Sequence, residues 1–178
     1  MDVIEAINKR RAYRALKEFT VTEEIISELA QAASLAPSCY NNQPWRYVFI
    51  YEPEMLEKFY TALSEGNSWA KDGSLIIAVF ADRDDDCIAG DREYYLFDSG
   101  LGTENLILRA TELGLVAHPM AGYDEQKAKD ILGIPESKCL ITVIGVGRHA
   151  EGTKEAEKEK ERPERLPEEE FVYHNEVE

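Results

Sequence analysis

Apolar positions along the chain alternate between two periods, and the changes of period mark out its elements. Asp2 can cap a first helix with Glu5 three residues on, and Val3, Ile4 and Ile7 give that helix one apolar face before the Lys9-Arg10-Arg11 cluster. Thr22 reads as the N-cap of a second helix, with Val21 and Ile26 as a hydrophobic staple and Ile25, Ile26, Leu29 and Ala33 on the buried side. Arg46 to Tyr51 is rich in aromatic and β-branched residues and predicts a strand. Pro53 and Glu54 then open a helix that buries Met55, Leu56, Phe59, Tyr60 and Leu63. Leu75 to Ala81 is continuously apolar at strand length, which predicts a central strand covered on both faces.

The longest helix is predicted from about Arg92 to Leu113, through Leu96, Leu106, Ile107, Ala110 and Leu113, with Gly114 as its C-cap. Its middle holds Ser99, Gly100, Gly102 and Thr103. Two glycines inside a helix cost about 1 kcal/mol each relative to Ala, so they imply close backbone approach, either to a partner helix or within the chain. Val116 to Met120 predicts a short strand, Asp124 caps a helix ending at Leu132-Gly133, and Cys139 to Val146 predicts another buried strand. Strands alternating with helices around apolar runs predict a sheet sandwiched by helices, in a domain over residues 1–150.

Composition refines this picture. The chain has 178 residues, 44% of them hydrophobic, enough for one domain with a real core. Its 20 basic and 35 acidic residues give a net charge of −15, which repels nucleic acid and anionic membrane surfaces, so neither is an expected partner. No window approaches a membrane span, and the start of the chain has neither a basic region nor an apolar run, so a soluble, unexported protein is expected. Cys39, Cys87 and Cys139 are odd in number and widely spaced, without a C-x-x-C pair. This supports neither a disulfide framework nor a metal site and fits a reducing cytoplasm, with Cys39 a structural or contact residue. Residues 151–178 carry eleven Glu against five Lys plus Arg, which reads as an acidic extension outside the core, either a solvated helix or disordered at first. Phe171-Val172-Tyr173 interrupts it and would suit an added strand.

Chemistry-bearing residues concentrate in two places. Ala36-Pro37-Ser38-Cys39-Tyr40-Asn41-Asn42-Gln43-Pro44-Trp45 gathers hydroxyl and amide side chains between two prolines. It reads either as an ordinary polar connection or as a shaped loop that meets a ligand. Arg10-Arg11-Ala12-Tyr13-Arg14 supplies arginine forks suited to phosphate, although basic residues also suit the C-terminus of the first helix. The chain contains no phosphate-binding P-loop, no G-x-G-x-x-G after a strand and no G-x-S-x-G elbow. His118, His149 and His174 stand in unrelated surroundings.

These two segments, in this order, resemble the R-R-S-x-R and A-P-S-x-x-N-x-Q-P-W elements of the nitroreductase family of FMN-dependent reductases. The resemblance implies a nitroreductase-like α+β fold, a mainly antiparallel sheet flanked by helices, and an intertwined homodimer. It implies FMN as cofactor and NADH or NADPH as co-substrate, with ping-pong hydride transfer through flavin N5 to a small-molecule acceptor such as a nitroaromatic or quinone. Offshoots of that fold that dehalogenate or oxidise, or that carry flavin without catalysis, are alternatives. By the same resemblance Arg10, Arg11, Ala12 and Arg14 hold the flavin phosphate, ribityl chain and pyrimidine edge, and Ala12 lacks the hydroxyl of the usual Ser. Pro37, Ser38, Cys39 and Asn41 reach the flavin of the other subunit, with Gln43 and Trp45 in support. Asn67 faces the flavin, and Met120, Ala121 and Gly122 lie beside its N5, Ala121 standing where many members are acidic. Arg165 resembles a late arginine that returns to the phosphate, and the extension packs on the partner subunit. No catalytic side chain and no metal are implied.

Overall fold

A computed structural model describes residues 1–177. One long strand, β7 (Cys139–His149), organises the molecule. It runs antiparallel to β3 (Leu75–Ala81), which pairs in turn with β2 (Arg46–Ile50). β6 (Val116–Met120) lies along its middle, and the two-residue β1 (Leu16–Lys17) joins its end at Arg148 and His149. Every one of these pairings is antiparallel, as expected. β7 extends beyond the predicted Val146 because β6 and β1 supply partners for Gly147 to His149.

The apolar run of β3 is buried on both faces, and its pleat divides the core in two. Leu75, Ile77 and Val79 join Ile144 and Val146 against α2 (Glu23–Ser34) and α4 (Tyr94–Glu112), through Leu29, Ala33, Leu106 and Ala110. Ile76 and Ala78 join Val143 and Met120 against α3 (Pro53–Tyr60) and α5 (Glu125–Leu132), through Leu56, Phe59 and Ala128. The predicted caps form: Asp2 accepts from Glu5 N, Thr22 from Ile25 N and Asp124 from Lys127 N, and Gly133 closes α5 in the left-handed region.

Four expectations change. Arg92 and Glu93 are not helical but form β5, which pairs with β4 (Ile88–Ala89) in a small separate hairpin, so α4 begins at Tyr94. Phe171 to Tyr173 is no strand. A 3-10 turn at Glu168–Glu170 precedes it, and Phe171 and Tyr173 stay exposed. Cys39 and Cys87, 48 residues apart, are joined in a disulfide, which overturns the expectation of none, and Cys139 is free. Sequence spacing could not reveal this pair, because the first turns of α4 bring the two segments together: Asp98 accepts from Cys39 N at 2.7 Å. Finally, the two α4 glycines differ. A Cβ at Gly102 would sit 2.9 Å from Tyr47 Oη and 3.2 Å from the Trp45 ring, so this glycine admits the aromatics of β2, whereas Gly100 faces open space.

Candidate functional site

The segment that follows α1 (Val3–Lys9) and the acidic extension meet across a groove of about 450 Å³. It is lined by Arg10, Arg11, Ala12, Tyr13, Lys158, Glu159, Arg162 and Arg165 among others. The extension does not trail into solvent here. Thr153 caps a short helix, α6 (Lys154–Lys158), whose Ala156 is buried against Ala15 and Ala150, and Ala150 N donates to Ala15 O at 2.8 Å. The Glu159 carboxylate then accepts from Arg14 N (2.8 Å) and Ala15 N (3.1 Å). Two arginines reciprocate: Arg11 Nη2 donates to the carbonyls of Glu159 and Glu161, and Arg162 Nη2 to those of Asn8 and Arg10.

The clamp assigns the arginines different tasks. One nitrogen of Arg11 is committed to the extension, and its guanidinium lies 5.0 Å from the centre of the Tyr13 ring. Among the described residues the guanidinium groups of Arg10 and Arg165 have neither a hydrogen bond nor an ion pair. Desolvation, then the nearby Arg11, Arg165 and Arg10, hold Arg162 below the usual arginine range. Four guanidinium groups gathered at one groove repel one another, and a phosphate dianion relieves that repulsion with bidentate partners. The donor set therefore fits a terminal phosphate. Arg14 points elsewhere, into a neighbouring recess it shares with Ser68, Trp69 and Asp72.

A second constellation adjoins that recess. Asn67 Nδ2 donates to Gly122 O at 2.8 Å, and Ser64 N donates to the same carbonyl at 3.0 Å. Gly122 has no room for a side chain, since a Cβ would stand 2.5 Å from Ser64 Oγ and 2.7 Å from Asn67 Nδ2. Asn67 and Gly122 are thus in direct contact, while Ala121 is exposed in the turn and Met120 is buried in the core. Two residues that sequence reasoning set aside belong to this region. His118 Nδ1 lies 3.1 Å from Tyr13 O, a bond that requires the proton on Nδ1, and its ring stacks on Trp69 at 4.4 Å. Burial pushes its pKa down, so the imidazole is neutral at neutral pH. His149 stacks on Tyr13 at 3.8 Å. The histidines looked unrelated in sequence because it is the pairing of β6 and β1 with β7 that brings two of them to Tyr13.

The Pro37 to Gln43 loop stands apart from both. Ser38 Oγ accepts from Gln43 N at 3.0 Å, closing a tight turn in which Tyr40, Asn41 and Gln43 all have positive φ (48°, 60° and 52°). Pro44 and Trp45 anchor its far end in the core, and Tyr40 is 93% exposed. Among the described residues the loop's hydrogen bonds to other segments reach Asp86, Cys87, Asp98 and Arg46, and none reaches the arginine groove. Within one chain Ser38 and Asn41 are therefore not joined to Arg10 or Arg165. Sequence reasoning missed Glu159 and Arg162, whose only signal was the interruption of an acidic run by basic residues.

Residues 7–148 match the model of the Nitroreductase family. A protein of Methanothermobacter thermautotrophicus, provisionally named NADH dehydrogenase/NAD(P)H nitroreductase, is 33% identical over 85% of this chain and 79% of its own length. A Thermus thermophilus protein named NADH dehydrogenase is 27% identical over 85% of this chain and 88% of its own. The solved structure of an oxidoreductase described as containing FMN superposes with a TM-score of 0.86 at 26% identity, covering 100% of this chain and 94% of that one.

Proposed function

Because the chain belongs to the nitroreductase family of oxidoreductases, we propose that it is an FMN-dependent enzyme that oxidises NADH or NADPH and reduces a small organic acceptor, a nitroaromatic or quinone, as a homodimer with two shared sites. The observation that carries this reading is the groove at which Arg10 and Arg165 present guanidinium groups that are unpartnered among the described residues, beside Arg162. Arg10 and Arg165 would hold the phosphate, with Arg162 close by. Ala12 contributes no hydroxyl, so polar contact there falls to backbone groups. Asn67 and the Gly122 backbone would present a donor and a flat, side-chain-free wall to the ring system. When bound, FMN supplies the capacity to take a hydride from a nicotinamide and pass it to the acceptor. The chain's part is to bind and orient, and to place Arg14 as a cation near the ring edge where reduced flavin carries negative charge.

The homodimer is supported by what one chain leaves uncovered. α1 buries only Ala6, leaving Val3 and Ile4 at 69% and 67% exposure, and Leu96 and Phe97 on α4 are exposed as well. Gly100 is open, and the loop bearing Ser38 and Asn41 is not joined to the groove of its own chain. A two-fold arrangement would bring each loop to its partner's groove. Residues 166–177, with Leu166, Phe171 and Tyr173 exposed, are the part of the extension left to pack on the partner.

Mass spectrometry of the released ligand should find FMN rather than FAD, bleached anaerobically by NADH or NADPH. Arg10→Ala and Asn41→Ala homodimers should each lose flavin, while the mixed dimer, with one doubly altered and one intact site, regains about half of the wild-type content by symmetry. Colourless heterodimers would place both residues in one chain's site and refute the shared arrangement.

A further inference from the structure

We propose that Cys39 and Cys87 form a reversible thiol–disulfide site that sets the shape of the 37–43 loop and, through it, the affinity for FMN. The second clause rests on the proposed function. The first rests on the geometry alone.

The loop is held in a conformation its residues do not choose by themselves. Tyr40, Asn41 and Gln43 lie in the left-handed region, which Asn tolerates but which Tyr and Gln rarely adopt without restraint from their surroundings. The restraints on residues 38–42 from distant segments are few. They are the Cys39 to Cys87 bond, the Cys39 N to Asp98 Oδ2 hydrogen bond, an exposed hydrogen bond from Asn42 Nδ2 to Asp86 Oδ1, and a 3.6 Å contact from Asn42 Nδ2 to Cys87 Sγ. All converge on two places, the first turns of α4 and residues 86–87. Asp98 is 2% exposed and sits on the 19-residue α4, so that contact can serve as a pivot. The other three depend on Asp86 and Cys87, which stand between the exposed β4–β5 hairpin and Asp85, whose carboxylate pairs with Arg46 at 3.5 Å and with Lys138 at 3.6 Å.

Opening the disulfide therefore leaves only the two Asn42 contacts, the exposed hydrogen bond to Asp86 and the 3.6 Å contact to Cys87 Sγ, between the loop and residues 86–87. An external dithiol breaks the S–S bond by exchange. Two electrons and two protons pass to the protein to give two thiols, and the dithiol leaves as its own disulfide. An oxidised dithiol reverses the exchange. Both cysteines are only half-buried, so a small reagent has access. In the reduced protein the strained backbone at 40–43 can relax, which moves the Ser38 hydroxyl and the Asn41 amide out of the arrangement seen here. A ligand that needs that arrangement then binds more weakly, because the competent shape is populated only part of the time.

Alkylation of protein equilibrated with oxidised dithiothreitol should label one cysteine, Cys139, and alkylation after anaerobic reduction should label three. Reduction should raise the Kd for FMN about fivefold or more, a usual size for coupling between two sites. Cys87→Ser should show the weak affinity in both redox states, and Cys139→Ser should respond as the wild type does. Hydrogen exchange at residues 38–43 should be slow only in the oxidised protein. Three labelled cysteines after oxidation, or equal exchange of the loop in both states, would overturn the site. Equal Kd values with a loop that does respond would overturn its control of the cofactor. Absence of FMN binding in either state would count against the proposed function, and the labelling and exchange results would still decide the disulfide.

Discussion

Glu159 is the residue on which the attachment of the extension can be tested most directly. Among the described residues its carboxylate is the sole side-chain acceptor for the amides of Arg14 and Ala15. A hydrogen bond to a charged group contributes about 1.5–3 kcal/mol net, and half-exposure of the site reduces the total, so we assign the pair about 2 kcal/mol. Glu159→Ala removes both bonds and leaves the part-buried Ala15 amide without a partner. The Arg11 and Arg162 bonds to backbone carbonyls and the burial of Ala156 remain. α6 has five residues, too few to stay helical once undocked, so its amides report whether the extension is seated. A loss of about 2 kcal/mol should speed hydrogen exchange at the Ala156 and Glu157 amides about 30-fold. Glu159→Gln keeps one acceptor oxygen and should give a smaller increase. Exchange at Ala156 and Glu157 that is unchanged in Glu159→Ala would refute the clamp, and with it the claim that the extension delivers Arg162 and Arg165 to the groove.

Two further outcomes follow from the site. His118 has a folded-state pKa lowered chiefly by burial, so it takes up a proton more readily in the unfolded chain. Its contribution is present above the unfolded value of about 6.5 and is lost as the pH falls through the folded value, so Tm should drop between pH 7 and pH 5 by less in His118→Gln than in the wild type. Gly122→Ala forces Ser64 and Asn67 aside and costs the Asn67 bond to Gly122 O. That is about 1 kcal/mol, or a fall of roughly 2–4 °C in Tm by calorimetry, and combining it with Asn67→Ala should add little because both remove the same bond.

The sequence by itself determined the main helices, the long strands and the two motifs. Apolar period, caps and turn glycines are local, so the burial of Leu75 to Ala81, the Asp2, Thr22 and Asp124 caps and the α5 terminus at Gly133 were legible without coordinates. Arg10, Asn67 and Gly122 could be singled out because their types and spacing carry a family resemblance that is itself linear. Only the tertiary structure decided what meets what. The Cys39 to Cys87 bond depends on where α4 starts, the stacking of His118 and His149 around Trp69 and Tyr13 depends on strand register, and the role of Gly102 depends on the aromatics of β2. The extension shows the division most clearly. Its charge pattern describes a solvated segment, yet Glu159 finds two backbone amides, and Arg162 two backbone carbonyls, about 150 residues away in the chain. Long-range hydrogen bonds to main-chain groups leave no periodic trace in a sequence, because any residue offers the same amide and carbonyl and only the fold selects which ones are near.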